Sequence, residues 1–288
     1  MSLFVPERLL KLRENFGEEG VRWLEELPER VASLERAWGL VAERAFDIDG
    51  CCSWVAPVRL ADGSEAVLKV GIPHDEARYE GDALRLIGGN GAVRLLRASE
   101  DGYSLLLERC VPGTDLWTLG EEEGNAVGAG VLRRLWRAPD PTVPFERVSE
   151  AVDRWCREVP EEAPAAGYDA DLIDRAVALG RELSDSQPRQ VLLHGDFHPA
   201  NVLAAGREPW LAIDCKPMVG EPAYDLAQWL HNRGRNGTAT VCAIRWQIAQ
   251  LSKLLDLDPA RVAGWAFVKS LGWDLGPASA RLLHDAMG

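Results

Sequence analysis

Apolar and polar positions alternate in three different rhythms along the chain. In residues 6–37, Leu9, Leu10 and Leu12 are followed by Trp23, Leu24, Leu27, Val31 and Leu34 at near-helical spacing. This predicts two or three short helices, with Pro28 opening one of them at its first position. From residue 38 the rhythm changes to that of strands, expected over 40–46, 53–60, 65–70, 92–98 and 103–110. Asp62-Gly63 suits a hairpin turn, residues 47–53 should form another, and Asp101-Gly102 joins the last pair. A helix is expected within 74–87, with Leu84 and Ile87 on its inner face. Val111-Pro112-Gly113 breaks the pattern. The third rhythm is helical: 121–137, 145–159, 169–183, 224–232, 238–255, 259–275 and 277–287. Gly128 and Gly130 weaken the first of these unless they permit close packing. Strands first and helices afterwards, without alternation, imply an α+β protein in two lobes. The expected organisation is a helical lead over 1–37, an antiparallel-sheet lobe over 38–110 and a mainly helical lobe over 111–288.

One stretch interrupts the helical region. Apolar residues 190–193 lead into His194-Gly195-Asp196-Phe197-His198-Pro199-Ala200-Asn201, then Val202-Leu203, then Trp210-Leu211-Ala212-Ile213-Asp214. The pattern is strand, polar loop, strand, loop, strand, acid. Asn201 lies five positions after Asp196, and Asp214 lies eighteen after it. This spacing resembles that of a protein-kinase catalytic loop and its magnesium-binding acid. The residue types suit that chemistry. One carboxylate meets an acceptor hydroxyl, while an amide oxygen and a second carboxylate supply hard oxygen ligands for magnesium. Asp, Asn and Pro are also ordinary turn formers. His-x-Asp-x-His resembles part of a zinc site, though further ligands at useful spacing are lacking.

Lys69 sits among apolar neighbours in Ala66-Val67-Leu68-Lys69-Val70. A lysine there is costly to bury unless it is paired; an edge position with a solvated amine is the plain alternative. If buried, its partner is a helix carboxylate, with Glu80 and Glu76 competing one turn apart. Ser53, after the first predicted hairpin, carries a hydroxyl able to donate to a phosphate.

Composition narrows the functions. The chain has 288 residues, 47% hydrophobic and 27% charged, with a net charge of −13. That acidity excludes bulk nucleic-acid binding, which needs a basic footprint, and is compatible with a cationic substrate. No apolar run reaches transmembrane length, and the first residues do not resemble a signal peptide. The six cysteines show no Cys-x-x-Cys spacing, so reduced, cytoplasmic thiols are expected.

His194-Gly-Asp-Phe-His-Pro-Ala-Asn201, followed by Ile213-Asp-Cys-Lys-Pro-Met-Val-Gly-Glu-Pro-Ala-Tyr-Asp225-Leu-Ala, resembles the aminoglycoside phosphotransferase family. The second run is most similar to its streptomycin 6-kinase and hydroxyurea-kinase branch. The resemblance runs from about Trp23 to Trp273 and departs at Cys215, where the family carries proline. It implies a two-lobed, protein-kinase-like fold and an ATP- and magnesium-dependent antibiotic-resistance kinase acting on a small, cationic molecule. Asp196 would be the catalytic base, and Asn201 and Asp214 the metal ligands. Lys69 would hold the nucleotide phosphates, with Glu80 favoured as its partner by the family pattern Glu-x-x-Ala-Leu. The Glu108 carbonyl and Cys110 amide would meet the adenine edge at the hinge. Asp225 would bond the backbone of the catalytic loop, and Lys216 is a further group within reach of phosphate. Asp115, Glu221, Trp273 and Asp274 are the substrate-site candidates. A regulatory pseudokinase is disfavoured because every catalytic residue type is present. A protein kinase is disfavoured because the segment after Asp214 is too short for an activation loop.

Overall fold

The computed structural model describes residues 3–47, 52–234, 240–272 and 276–288. The chain divides into two compact units, Met1–Gly113 and Thr114–Gly288.

In the first unit a 3-10 turn (Glu7–Lys11) and α1 (Leu12–Asn15) lead into α2 (Gly17–Trp38). The short helices expected here are largely one long helix, and Pro28 lies inside it rather than at its start. An interior proline costs about 3 kcal/mol. The apolar stripe Trp23, Leu24, Leu27, Val31 and Leu34 continues across it and is buried with Leu9, Leu12, Trp54, Val58 and Leu68. Burial of such side chains at about 1.5–3 kcal/mol each outweighs the proline. Two indoles pin the lead to the sheet: Trp23 Nε1 donates to the Gly71 carbonyl at 3.1 Å, and Trp54 Nε1 to that of Phe4 at 2.9 Å.

The sheet is formed by β1 (Leu40–Ala42), β2 (Ser53–Leu60), β3 (Glu65–Gly71), β4 (Leu95–Ala98) and β5 (Ser104–Glu108), in the order β1-β2-β3-β5-β4 with antiparallel neighbours. The strand expected over 40–46 is regular only at its start. Beyond it the chain still follows β2, through Glu43 N–H to the Pro57 carbonyl and Phe46 N–H to the Val55 carbonyl, each 2.9 Å. Asp62-Gly63 turns as expected, Gly63 at φ +83°. Much of the turn expected over 47–53 lies outside the described residues. α3 (Glu80–Ile87) lies between β3 and β4 in sequence.

The second unit opens with a 3-10 turn (Leu116–Thr118) and α4 (Glu121–Leu135). Then come β6 (Glu146–Arg147), α5 (Val148–Glu162) and α6 (Ala170–Asp185). β7 (Val191–Leu193), β8 (Val202–Ala204), β9 (Trp210–Ala212) and β10 (Met218–Gly220) follow. The helices α7 (Leu226–Gly234), α8 (Val241–Leu255), α9 (Pro259–Ser270) and α10 (Pro277–Ala286) complete the unit. β8 and β9 form an antiparallel hairpin, and β6-β10-β7 a small mixed sheet. That sheet delays the helix expected from residue 145 until Val148.

Gly128 resolves the question of the glycines in α4. A Cβ there would lie 2.3 Å from the Trp229 ring, whereas one at Gly130 would meet nothing within 4 Å. The first glycine therefore admits an indole against the helix backbone. Trp229 in turn stacks on Phe197 (centroids 5.4 Å, planes 15° apart), and Phe197 meets His194 edge-on at 5.4 Å. This aromatic column backs the His194–Asn201 loop.

Candidate active site

The first unit contributes a buried ion pair. Lys69 lies on the central strand β3, between Val55 of β2 and Leu105 of β5. Its Nζ is 2.6 Å from Glu80 Oε2, the side chains 11% and 3% exposed. Glu80 is the first residue of α3, while Glu76 lies exposed on the preceding turn. Of the two competing carboxylates, Glu80 thus pairs with the lysine. The pairing neutralises a cation that burial alone would penalise. Ser53 begins β2 opposite Gly71. Glu108 ends β5; its carboxylate accepts from the Arg94 N–H at 3.0 Å. Cys110 is half-buried just beyond the strand.

The second unit contributes the polar loop between β7 and β8. Asp225 fixes its entry: one carboxylate oxygen accepts from the His194 N–H at 3.0 Å and the other from the Gly195 N–H at 2.8 Å, while Trp136 Nε1 donates at 2.9 Å. Gly195 is at φ +79°, and a Cβ there would sit 1.9 Å from the Lys216 carbonyl oxygen. No other residue fits, because the segment after Asp214 lies directly against the loop. Lys216 N–H also donates to the His194 carbonyl at 2.8 Å. His194 Nε2 is 3.0 Å from the Ile213 carbonyl, and the Asp196 N–H donates to its Nδ1 at 3.3 Å. Those partners select the neutral ring protonated at Nε2, in keeping with burial, which pushes the His194 pKa down.

The loop presents Asp196. Gln228 Nε2 donates to its Oδ1 at 2.9 Å, Lys216 Nζ lies 3.4 Å from Oδ2, and His198 Nε2 lies 3.8 Å from Oδ1. Burial raises the carboxyl, but Lys216, His198 and the Gln228 bond together outweigh it and hold the pKa below the ordinary value. Asp196 is therefore ionised at neutral pH. Burial also lowers the His198 pKa, against the pull of Asp196.

Asn201 ends the loop. Its Nδ2 donates to the Asp196 carbonyl at 3.0 Å, leaving the amide oxygen as the atom suited to a cation. The hairpin pairs Val202 with Ala212, and the Ile213 N–H donates to the Asn201 carbonyl at 2.9 Å. Asn201 and Asp214 therefore emerge at the same end of the hairpin. Asp214 adopts φ +57°, a conformation uncommon for a residue with a side chain and frequent at functional sites. An amide oxygen and a carboxylate at one hairpin end are hard donors that fit magnesium. Among the described residues, no group of three or more His, Cys, Asp or Glu side chains is arranged to hold a metal, so the His-x-Asp-x-His reading has no zinc ligand set.

The substrate candidates fare differently. Asp115 is half-buried, accepts from the Trp117 N–H at 3.1 Å, and bridges to Leu203 beside the hairpin. Glu221 does not face solvent. It is 1% exposed, and Arg261 grips both its oxygens, from Nη2 at 2.6 Å and Nε at 2.7 Å. Trp265 Nε1 donates to it as well. Its charge is spent on joining the segment before α7 to α9, so it is removed as a substrate contact. Trp273 and Asp274 lie outside the described residues. Gln228 was missed by sequence reasoning, since one glutamine on a helix carries no signal. Lys216 was named only as a group near phosphate, and it proves to contact Asp196.

Comparison with known proteins gives the family and the fold. Residues 38–272 match the sequence model for the aminoglycoside/hydroxyurea antibiotic resistance kinase family. The chain is 37% identical over 290 residues to the streptomycin 6-kinase of Streptomyces glaucescens, covering 96% of this chain and 93% of that one. It is 36% identical over 281 residues to the hydroxyurea phosphotransferase of Kitasatospora aureofaciens, covering 94% and 80%. Among solved structures, macrolide 2'-phosphotransferase from Brachybacterium faecium aligns with a TM-score of 0.59 at 19% identity, covering 92% and 98%. An aminoglycoside phosphotransferase from Streptomyces rimosus, in complex with ADP and streptomycin, aligns at 0.57 with 17% identity, covering 86% and 99%. At such identities the structural likeness concerns the protein-kinase-like fold.

Proposed function

Because the chain belongs to the aminoglycoside/hydroxyurea antibiotic resistance kinase family, we propose that it transfers the γ-phosphate of ATP to a hydroxyl of a small molecule, an aminoglycoside such as streptomycin. The observation that carries this reading is the ionised Asp196, oriented by Gln228 and Lys216 and followed by Asn201 and Asp214 at one hairpin end.

Each part has a role set by its chemistry. Lys69, held extended by Glu80, steadies the nucleotide phosphates. Ser53 donates to the same phosphates, and the Glu108 carbonyl and Cys110 amide bond the adenine edge. Asn201 Oδ1 and the Asp214 carboxylate would hold magnesium, which would supply neutralisation of the phosphate charge. Asp196 would accept a hydrogen bond from the acceptor hydroxyl, align its oxygen with the γ-phosphorus and take its proton as the new O–P bond forms and the bond from that phosphorus to the bridging oxygen breaks, releasing ADP. Most of the rate then comes from positioning and charge. ATP as donor assigns the work to the cytoplasm. Among the described residues, no helix is long and apolar enough to cross a membrane.

A cationic acceptor follows from the net charge of −13 and the carboxylates Asp115, Glu121, Glu122, Glu123 and Asp274 on the second unit. Guanidinium groups form bidentate pairs with carboxylates. The likeness to hydroxyurea phosphotransferase makes hydroxyurea the second acceptor to try. The experiment is transfer of labelled phosphate from ATP to streptomycin, kanamycin and hydroxyurea in parallel. Streptomycin should be labelled fastest, and more slowly as salt rises. Transfer only to neutral sugars or nucleosides would contradict the substrate assignment.

A further inference from the structure

Behind Asp196 runs a line of buried polar groups. Gln228 of α7 donates from Nε2 to Asp196 Oδ1 at 2.9 Å. Its Oε1 lies 3.2 Å from Nδ1 of His231, about one turn further along α7. His231 Nε2 lies 2.6 Å from the carbonyl oxygen of Ala266 on α9. Gln228 and His231 are 6% and 3% exposed.

The ionised carboxylate at one end of the line orients the amide beside it. An ionised carboxylate only accepts, so Gln228 turns its amide nitrogen toward Asp196 and its oxygen toward His231. The Ala266 carbonyl also only accepts. The two ring nitrogens of His231 thus face one oxygen each, Gln228 Oε1 at 3.2 Å and the Ala266 carbonyl at 2.6 Å. We propose that Gln228 and His231 are positioning residues for phosphoryl transfer, tying the carboxylate of Asp196 through α7 to the backbone of α9. The inference rests on Asp196 being the group that receives the acceptor's proton.

Lys216 and His198 also approach Asp196, but the Lys216 side chain is 31% exposed on a flexible stem and His198 Nε2 lies 3.8 Å away. Gln228 is buried and short. It therefore sets the plane of the carboxylate and leaves Oδ2 to the acceptor and Lys216. A misaimed carboxylate slows the transfer step without weakening nucleotide binding, because Gln228 acts on Asp196, to which the acceptor is assigned, whereas the nucleotide phosphates are assigned to Lys69.

The test compares kcat and KM in Gln228→Ala, His231→Ala and the double variant of the full chain, with Asp196→Asn as control and streptomycin as acceptor. Each single change should lower kcat about 10- to 100-fold, the range for losing a hydrogen bond to a charged group, with the KM for ATP within about twofold. The double variant should be no slower than Gln228→Ala, because the two act in series. Multiplying losses, or lowered melting temperatures with kcat unchanged, would overturn the proposal. Ring nitrogen-15 resonances of His231, compared between the unmutated protein and Asp196→Asn, read the line itself: they should shift when the carboxylate is replaced, and resonances that do not move would overturn the connection of His231 to Asp196. If Asp196→Asn keeps full turnover, the Asp196 reading has failed; if only Gln228→Ala does, this inference alone has.

Discussion

Asp225 holds Gly195 by its backbone: the carboxylate oxygen lies 2.8 Å from the Gly195 nitrogen and the other oxygen 3.0 Å from that of His194. An acid 30 residues downstream thus sets the conformation of the loop that presents Asp196. With Trp136 as a third donor, Asp225→Ala leaves three buried N–H groups without a partner. The variant should lose about 3 kcal/mol of stability, taking about 1–3 kcal/mol per lost bond and partial rescue by water. Urea melts of wild type and variant measure this. Unchanged midpoints would show that the loop holds its shape without the carboxylate.

Lys216 should tune the acid limb of the pH profile. Burial raises the Asp196 pKa, and Lys216 is the largest of the influences that outweigh it. A lowered pKa means Asp196 stays ionised until pH falls below the ordinary carboxylate range. Its contribution to folding is likewise present above the unfolded pKa and lost as pH falls through the folded one. Lys216→Met removes that cation and should move the acid limb of kcat/KM to higher pH. A limb that stays in place in the variant would exclude Lys216 as its determinant.

Lys69→Ala leaves Glu80 buried without its cation. It should raise the apparent ATP requirement and lower turnover, and it should destabilise the protein by about 3–5 kcal/mol unless Glu80 protonates. Lys69→Ala/Glu80→Ala should recover part of that stability but not the ATP kinetics. Wild-type ATP kinetics in the single variant would contradict the role given to β3.

The two glycines of α4 make opposite predictions. Gly128→Ala drives a methyl into the Trp229 ring and should cost about 1–3 kcal/mol. Gly130→Ala meets open space and should stabilise by about 0.5–1 kcal/mol through helix propensity. Thermal melts of the pair decide it; equal shifts would mean that Trp229 yields to the methyl.

Legibility from sequence followed from how local each signal was. The polar loop and its acid were readable because kinase-like chemistry needs Asp, Asn and Asp at fixed spacing along one chain segment. The strand alternation around Lys69 was readable for the same reason, and Glu80, favoured over Glu76 by the resemblance, is the carboxylate that pairs with it. Pro28 misled because a local rule was overridden by burial of the stripe from Trp23 to Leu34. The β6-β10-β7 sheet was invisible because two- and three-residue strands show no period. Glu221 was named as a substrate-site candidate because its partners, Arg261 and Trp265, lie 40 and 44 residues away and leave no local mark. Gln228 and His231 act through hydrogen bonds to Asp196 and Ala266, 32 and 35 residues away, and composition does not announce such bonds.

The central claim is that Asp196 serves phosphoryl transfer to a small-molecule hydroxyl. Mass spectrometry of streptomycin incubated with ATP, magnesium and either wild type or Asp196→Asn tests it directly. Wild type should convert the antibiotic to its singly phosphorylated form. The folded variant should do so at least about a hundredfold more slowly, in the range for loss of a general base. Phosphorylated streptomycin formed equally fast by Asp196→Asn would contradict the account, as would ATP consumed by wild type with the antibiotic and every other hydroxyl acceptor left unmodified.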